Sequence, residues 1–428
     1  MRHTTHLPTA ADSHAMTTVR RVENEISSVA RTSRRGAAVV LGGLVLALTG
    51  CAKNAPQDTW KPSGKYARSI DNLQEPIFAA AGVVGLIVMA AVAYCIWKFR
   101  ERPGHDSIPH QSHGNSKVEI SLTALSAAIL LVVAVPTVNT LFDISNRPKD
   151  TALEVTVIGQ QWWWEFQYKT PGMEGIVTAT ELVIPVGKKV RLSVTSRDVI
   201  HSFWIPKLNG KRDAVPNRVQ PLNMEATTPG IYEGQCTEFC GLSHANMRQR
   251  VVALTEADFA TWVANQLKPA AKPAKVKDVT TGELADTPES KGEATFISQC
   301  ARCHQVTGLV DDKGEPQNSK ADEQLVSGAA PNLTHLMSRS VFAGGMFDLS
   351  LRSEACNAKT APYTAGLPTG TPDGCLNRAD LEAWLRNAPA VKPMYSIQNK
   401  DKLYRGMPNL NLSEAQIDEL VAYLTTLK

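Results

Sequence analysis

Two uninterrupted apolar segments, 77–97 and 120–141, constrain the fold of this chain more than any other feature. Each is apolar over about twenty residues, which is the length that an α-helix needs to cross a bilayer. A buried helical hairpin is the alternative, but soluble core helices seldom run this long without a charge. The connection between the segments is basic, with Lys98, Arg100, Arg102 and Lys117. Because short basic loops stay in the cytoplasm, we expect two transmembrane helices and an extracytoplasmic position for everything after residue 147.

Residues 1–50 have the organisation of a secretory signal. Basic residues precede the apolar stretch 37–48, and the segment ends in Leu48-Thr49-Gly50-Cys51. This is the order of a basic region, an apolar region and a small-residue cleavage site. The end resembles a bacterial lipobox, with Cys51 as the lipidated first residue of the mature chain. An ordinary signal or an uncleaved anchor that happens to end in Cys is the alternative. Segment 51–149 would then contain the lipidated N-terminus and the two helices, in a bacterial plasma membrane.

A second feature is the C-x3-C-x3-H-x2-M run between residues 236 and 247. It presents the thiols of Cys236 and Cys240, the imidazole of His244 and the thioether of Met247, and His201 lies upstream. Sulfur and imidazole ligands select copper or zinc, and a Met ligand favours copper. Two neighbouring thiolates can each bridge two coppers, leaving one histidine for each metal. A structural zinc loop or a Cys236–Cys240 disulfide is the alternative, although neither uses all of these residue types.

A third feature is the C-x-x-C-H run formed by Cys300, Cys303 and His304. This spacing is typical of covalent c-type haem attachment, in which two thioethers fix the porphyrin and the adjacent imidazole ligates the iron. A redox C-x-x-C motif is the alternative, but no thioredoxin-like βαβ pattern surrounds it. A distal methionine would complete the iron coordination, and Met407, followed by Pro408, is the preferred candidate. Met394 is the second choice, since methionine is also common core filler.

Periodicity and composition divide the remaining chain. Alternating apolar and polar residues at 153–157 and 190–194 predict half-buried strands, so segment 150–267 is expected to be an all-β domain ending in a short helix capped by Thr255. Segment 268–291 is rich in Pro, Ala and Lys and is predicted to be a linker. Segment 292–428 contains the C-x-x-C-H run and ends in a helix predicted to begin at Ser413 with a capping box.

The copper-type motif resembles the CuA centre of cytochrome c oxidase subunit II, and His201-Ser-Phe-Trp204 resembles the first ligand motif of that family. The resemblance implies a cupredoxin-like fold, a dinuclear copper, and the metal ligands His201, Cys236, Glu238, Cys240, His244 and Met247. Glu238 would give a backbone oxygen to copper and its carboxylate to a magnesium at the boundary with subunit I.

The same resemblance assigns roles to other residues. Gly159-Gln160-Gln161-Trp162 is similar to a family segment in which the tryptophan passes electrons to copper, although Gln160 stands where the family commonly has His. Strand packing is the alternative for Trp162. Glu119 resembles a carboxylate at the mouth of a proton channel, but a solvated Glu at a helix start is an open alternative. Asp213 and Arg218 match a stretch that faces subunit I.

The C-terminal segment resembles a class I cytochrome c, which implies an all-α haem domain over residues 292–428. The spacing of Gly292, Phe296 and Cys300 agrees with that family, and Pro331 begins a loop similar to the one that supports the haem histidine. The resemblance therefore implies a caa-type oxidase subunit II, in which the cytochrome c donor is fused to the copper protein. Cys356 and Cys375 flank an insertion, and a disulfide between them is expected in an oxidising compartment.

These observations predict a function. A net charge of +4 over 428 residues is too small for a nucleic-acid binder. The expected partners are oxidase subunits I and III, membrane lipid, and an upstream cytochrome bc complex or cytochrome c. Electrons would pass from haem c through copper to subunit I, where oxygen is reduced with proton translocation. A nitrous oxide reductase is disfavoured because the chain has only ten histidines. A membrane-tethered electron carrier or copper-delivery protein acting without subunit I is the alternative.

Overall fold

The computed structural model describes most of the chain beyond the predicted signal. The described residues are 55–100, 111, 113–273, 276–277, 284–309, 330–351, 353, 355–356, 374–394 and 406–428. The predicted signal, lipobox and lipidation site at Cys51 lie outside them.

Two long helices follow the N-terminal segment: α1 spans Lys65–Lys98 and α2 spans Ser116–Ser145. Both are long and apolar enough to cross a membrane, as the sequence predicts. They extend beyond the apolar segments because polar turns continue each helix at its ends. The side chain of Asn115 caps α2 by accepting the backbone N–H groups of Lys117 and Val118.

A β-sheet domain with a cupredoxin-like arrangement follows. The strands are β1 (Thr151–Gln160), β2 (Trp163–Tyr168), β3 (Val177–Ala179), β4 (Glu181–Pro185), β5 (Lys189–Ser196), β6 (His201–Phe203), β7 (Arg212–Ala214), β8 (Gln220–Met224), β9 (Gly230–Gln235) and β10 (Arg248–Leu254). One sheet has the order β3-β2-β1-β5-β8, another has the order β4-β10-β9, and β6 pairs with β7.

Alternation determines which faces of these strands form the core. In β5 every second side chain is buried, and Val190, Leu192 and Val194 are among them. β1 runs parallel to β5 and antiparallel to β2, so the predicted strand at 153–157 lies in the middle of the larger sheet. The core between the sheets is rich in aromatic rings, with Trp164 against Phe203 at a centroid distance of 5.2 Å. The β-sheet prediction is therefore confirmed.

Polar bonds join the β domain to the helical hairpin. The side-chain amide of Asn223 in β8 donates to the carbonyl oxygens of Ile144 and Asn146 at the end of α2. After β10, helix α3 (Glu256–Gln266) is capped by Thr255, whose hydroxyl accepts the N–H of Asp258. This is the cap that the sequence predicts.

The C-terminal region contains helices α4 (Pro288–Gln299), α5 (Arg378–Val391) and α6 (Glu414–Leu424). Helix α6 begins with the expected capping box of Ser413 and Gln416. Helices α4 and α6 cross at Gly292, where a Cβ atom would lie 2.0 Å from the carbonyl oxygen of Glu419. The rings of Phe296 and Tyr423 pack nearby in a tilted arrangement, with centroids 5.4 Å apart. The Gly292-x3-Phe296 spacing therefore serves helix packing.

Short strands and an earlier helix start modify the expected organisation. Strands β11 (Val276–Lys277) and β12 (Leu284–Ala285) pair within the predicted linker, and α4 already begins at Pro288 because Thr287 caps it. Strands β13 (Val341–Phe342) and β14 (Phe347–Asp348) form a hairpin that an all-α domain would lack. Gly344 and Gly345 permit its tight turn, since both have positive φ.

A disulfide joins Cys356 to Cys375. Most of the insertion between them lies outside the described residues.

Candidate metal centre

The side chains of the C-x3-C-x3-H-x2-M run converge with His201 at one buried place in the β domain. The Sγ atoms of Cys236 and Cys240 are 3.9 Å apart. The Nδ1 atom of His201 lies 4.0 Å from Cys236 Sγ, and the Nδ1 atom of His244 lies 3.5 Å from Cys240 Sγ. The Met247 sulfur is 3.8 Å from Cys240 Sγ. Each thiol therefore has one imidazole beside it.

Two neighbouring strands hold this loop. Strand β9 ends at Gln235 and β10 begins at Arg248, and these two residues pair in the antiparallel register. Cys236 and Met247 continue the pairing by one bond, from the Cys236 N–H to the Met247 carbonyl, at 2.9 Å. His201 starts β6, and the Thr237 N–H donates to the carbonyl of Ser202 at 3.1 Å. The sheet thus fixes both ends of the loop.

Asp198 orients His201, and sequence reasoning did not identify it. Its carboxylate accepts a hydrogen bond from His201 Nε2 at 2.8 Å, which leaves Nδ1 facing the thiols. Asp198 also accepts the backbone N–H of Gln161 at 2.7 Å. A carboxylate that holds the second ring nitrogen is the usual partner of a metal-binding histidine. An acidic residue three positions before a proposed ligand was the available signal.

Gly159 leaves room for the imidazole ring of His201. A Cβ atom at this position would lie 2.8 Å from Cδ2 of His201. A side chain on β1 would therefore displace the imidazole from the two thiols.

Electrostatics distinguish the two thiols. A hydrogen bond from Cys240 lowers the pKa of Cys236 to about 4, and the bond to His201 acts in the same direction. The same hydrogen bond with Cys236, together with burial, raises the pKa of the Cys240 thiol. Burial opposes a charge on His201, yet its bonds to Asp198 and Cys236 raise the net pKa. The site therefore holds one thiolate readily, and the second becomes a thiolate when a metal replaces its proton.

The donor set fits copper. Two thiols, two imidazole nitrogens and a thioether lie within reach of a common centre, and His201, Cys236 and Cys240 are buried. The carbonyl oxygen of Glu238 lies 3.3 Å from Cys236 Sγ and adds an oxygen donor. Sulfur and imidazole donors with a thioether suit copper better than a hard cation. The residues predicted as copper ligands are thus brought together.

Trp162 lies directly against the metal-binding loop. Its indole Nε1–H donates to the carbonyl oxygen of Cys240 at 3.0 Å, and the amide of Gln161 donates to the same oxygen at 2.7 Å. Its side chain is buried, with 2 % exposed. Trp164 is a core residue that meets His201 edge-on at a centroid distance of 5.8 Å. Of the Trp162–Trp164 run, Trp162 is the one hydrogen-bonded to a predicted ligand residue.

Three further predicted residues lie outside this cluster. The carboxylate of Glu119 accepts the backbone N–H of Asn115 at 3.2 Å, which completes the start of α2. Asp213 in β7 accepts the hydroxyl of Ser202 at 2.8 Å, next to His201. Arg218 is exposed. The predicted role of Glu119 at a proton-channel mouth, and those of Asp213 and Arg218 facing subunit I, remain predictions.

The C-x-x-C-H residues form a second site at the end of α4. The backbone N–H groups of Cys303 and His304 both donate to the carbonyl of Cys300, which folds the run into a tight turn. His304 Nδ1 lies 2.8 Å from the carbonyl oxygen of Pro331, so this nitrogen donates and Nε2 is left for a metal. A backbone carbonyl holding the ring is the arrangement that a haem-ligating histidine requires. The residues present therefore fit a c-type haem.

The two candidate distal methionines lie in different surroundings. Met407 packs against the core cluster of the C-terminal region, which includes Cys300 and Phe296. Met394 packs against the core cluster of the β domain, and its side chain also lies beside Gly406, the residue before Met407. The choice of Met407 as the haem ligand stays a prediction.

Comparison with known proteins identifies the family. The family model of the cytochrome c oxidase subunit II transmembrane domain matches residues 57–140, and the model of its periplasmic domain matches residues 172–254. The chain is 30 % identical over 395 residues to cytochrome c oxidase subunit 2 of Alkalihalophilus pseudofirmus, covering 91 % of this chain and 96 % of the relative. It is 32 % identical over 404 residues to the same subunit of Bacillus sp. strain PS3, covering 91 % and 96 %.

A plant relative matches a shorter part of this chain. Cytochrome c oxidase subunit 2 of Arabidopsis thaliana is 28 % identical over 259 residues, which are 54 % of this chain but 98 % of the relative. The hairpin, the β domain and the cluster of copper-type donors thus agree with the family matches. The chain belongs to the cytochrome c oxidase subunit II family and is an electron-transfer subunit, anchored in the membrane, of a haem-copper oxidase.

Proposed function

We propose that this subunit carries its own haem c and relays electrons from it, through a dinuclear copper centre, to subunit I. The observation behind the proposal is the presence of two separate donor sets in one chain. One set surrounds Cys236 and Cys240, and the other is formed by Cys300, Cys303 and His304. A bound dinuclear copper supplies rapid one-electron transfer.

The chain's residues have distinct roles in this proposal. Asp198 holds the ring of His201, and the Pro331 carbonyl holds the ring of His304, so that each presents one nitrogen to its metal. Trp162, which is bonded to the Cys240 carbonyl, would conduct electrons to the copper loop. Burial of both thiols keeps water away from the two sulfur atoms, while His244 is partly exposed.

The length of the match to the Alkalihalophilus and Bacillus relatives supports the proposal of a separate C-terminal domain. Both match 91 % of this chain, which includes part of the C-terminal region, whereas the plant relative matches 54 %. Such a pattern is expected when the C-terminal region is a module added to a shared copper protein.

The remaining assignments belong to the same proposal. The basic loop between α1 and α2 favours an extracytoplasmic position for both cofactor domains. Glu238 is half-buried, and its carboxylate is proposed to bind magnesium at the subunit I boundary. Subunit III, lipid attached at Cys51 and an upstream cytochrome bc complex or cytochrome c complete the expected partners.

The test uses the purified oxidase complex. Haem extraction and alkaline pyridine spectra should show one haem that stays covalently attached to this chain. Electron paramagnetic resonance should show the seven-line pattern of an electron shared by two coppers. A chain without covalent haem contradicts the relay, and a four-line copper spectrum contradicts the dinuclear centre.

The alternative is a tethered electron carrier or copper-delivery protein without subunit I. Membership of the oxidase family favours the oxidase. Co-purification of a large haem-containing subunit separates the two.

A further inference from the structure

The C-terminal domain is bonded to the copper domain at two places, and the first is an ionic network around the buried carboxylate of Glu181. Glu181 of β4 has 5 % of its surface exposed, and its carboxylate accepts the backbone N–H and the hydroxyl of Ser340. Arg250 of β10 donates to Ser340 Oγ at 3.1 Å and to Asp348 at 3.2 Å. Buried charges persist only where partners satisfy them, so this network indicates a specific interface.

The second place lies beside the metal-binding loop and centres on Lys392, just after α5. Its Nζ donates to the carbonyl oxygen of Trp162 at 2.9 Å and to that of Ala343 at 2.8 Å. One carbonyl belongs to the copper domain and the other to the C-terminal domain. Lys392 has 2 % of its surface exposed. Burial lowers the pKa of Lys392 to about 7, and the amine in either protonation state can donate to both oxygens.

Neighbouring bonds hold the same edge. The hydroxyl of Ser243, next to His244, donates to the carbonyl of Pro393 at 2.5 Å. The Arg248 N–H donates to the Gly344 carbonyl at 2.9 Å. A Cβ atom on Gly344 would lie 2.4 Å from the Trp162 oxygen, so the turn of the β13–β14 hairpin lies directly on this edge.

These contacts bear on how the C-terminal domain reaches the copper domain. Segment 268–291 alone would let a haem domain search for the copper domain by diffusion. A buried amine that bridges two domains instead favours one docked position, because its bonds to both carbonyls form together only while the two domains are in contact.

Resting on the proposed function, we propose that Lys392 is a positioning residue that fixes the C-terminal domain on the Trp162 edge. The domain is then a docked donor and not a swinging one. The hairpin turn and segment 392–394 cover that edge, so an external cytochrome delivers its electron to the C-terminal domain and not to Trp162.

The test compares Lys392→Met with Lys291→Met in the intact oxidase complex. Lys291 lies exposed on α4 of the same domain and serves as the matched control. A ruthenium photoreductant injects one electron into the haem, and the rate of copper reduction is recorded in buffer and in glycerol. Lys392→Met should slow this step about tenfold and make it depend on viscosity, because docking must precede transfer. Lys291→Met and the wild type should show a fast rate that is insensitive to viscosity.

Two measurements show what the substitution alters. The copper resonance, the haem spectrum and the KM for an external cytochrome should be unchanged in Lys392→Met, which establishes intact sites. Hydrogen exchange of the Arg248 amide, bonded across the interface, should be faster in Lys392→Met than in Lys291→Met. Equal transfer rates in the two variants, or equal Arg248 exchange, would overturn the proposal. Faster Arg248 exchange in a protein that lacks covalent haem would uphold the docking and reject the proposed relay.

Discussion

The copper domain and the C-terminal domain assemble their proposed metal ligands in different ways. The thiols and imidazoles of the copper domain come from β6 and from the loop between β9 and β10, and Asp198 holds one of the rings. In the C-terminal domain, Cys300, Cys303 and His304 lie within one turn at the end of α4. A copper site of this kind depends on correct strand pairing, whereas the C-x-x-C-H residues are close together by sequence alone.

Because of this difference, each site should be lost without the other. Changing one copper ligand would disturb the other copper ligands, which are oriented by one another. Changing the C-x-x-C-H thiols would affect only a turn whose shape is set by the local chain. The two domains should therefore fail separately when their thiols are changed.

The largest expected effect comes from the thiols themselves. Cys300→Ser with Cys303→Ser should abolish covalent haem and oxidase activity with the native donor, while the copper resonance is unchanged. Cys236→Ser should abolish the copper resonance while haem remains attached. Haem spectra, metal analysis and electron paramagnetic resonance of each variant complex make the comparison. If either change removes both signals, the domains do not assemble independently.

Met407 and Met394 provide the next comparison, because they pack against different cores. Met407→Ala should eliminate the near-infrared sulfur-to-iron band of the oxidised haem. Met394→Ala should leave that band in place, since Met394 packs against the copper domain. The reverse pattern would move the distal ligand to Met394.

A smaller effect is expected at Asp198. Asp198→Asn keeps the size of the side chain but weakens its bond to His201, so copper affinity should fall about 10- to 100-fold. Competition with a copper chelator measures the affinity. Ser202→Ala, next to His201 on the same strand, is the control and should change affinity little. Equal affinities in wild type and Asp198→Asn would mean that strand β6 alone positions the ring.

The last expected effect is on stability and leaves both sets of metal ligands intact. Cys356→Ser with Cys375→Ser opens a loop with a sequence separation of 19, and should lower the free energy of unfolding of the C-terminal domain by about 3 kcal/mol. Thermal unfolding followed through the haem absorption measures this change, and the copper absorption serves as the internal control. An equal loss in both domains would show that the interface transmits the destabilisation.

Much of the fold could be predicted from the chain. Two apolar segments, the alternation at 190–194 and the caps at Thr255 and Ser413 predict helices and strands that the structure contains. The hairpin of β13 and β14 was not predicted, because its strands are only two residues long and give no periodicity. The predicted linker ends at residue 291, but α4 already begins at Pro288 with Thr287 as its cap. The composition of this stretch resembles a linker and does not mark the start of the helix.

Local sequence determined the chemistry of the ligands: the residue types and spacings of 236–247 and 300–304 specify which metals suit them. Only the tertiary structure decided which distant groups serve those ligands. Pro331 meets His304, and Lys392 meets Trp162, only after strands and helices pack. Spacing along a chain constrains neighbours within a turn, but a hydrogen bond between distant residues depends on where the whole backbone places them. For that reason the docking of the two domains was absent from the sequence pattern and present in the fold.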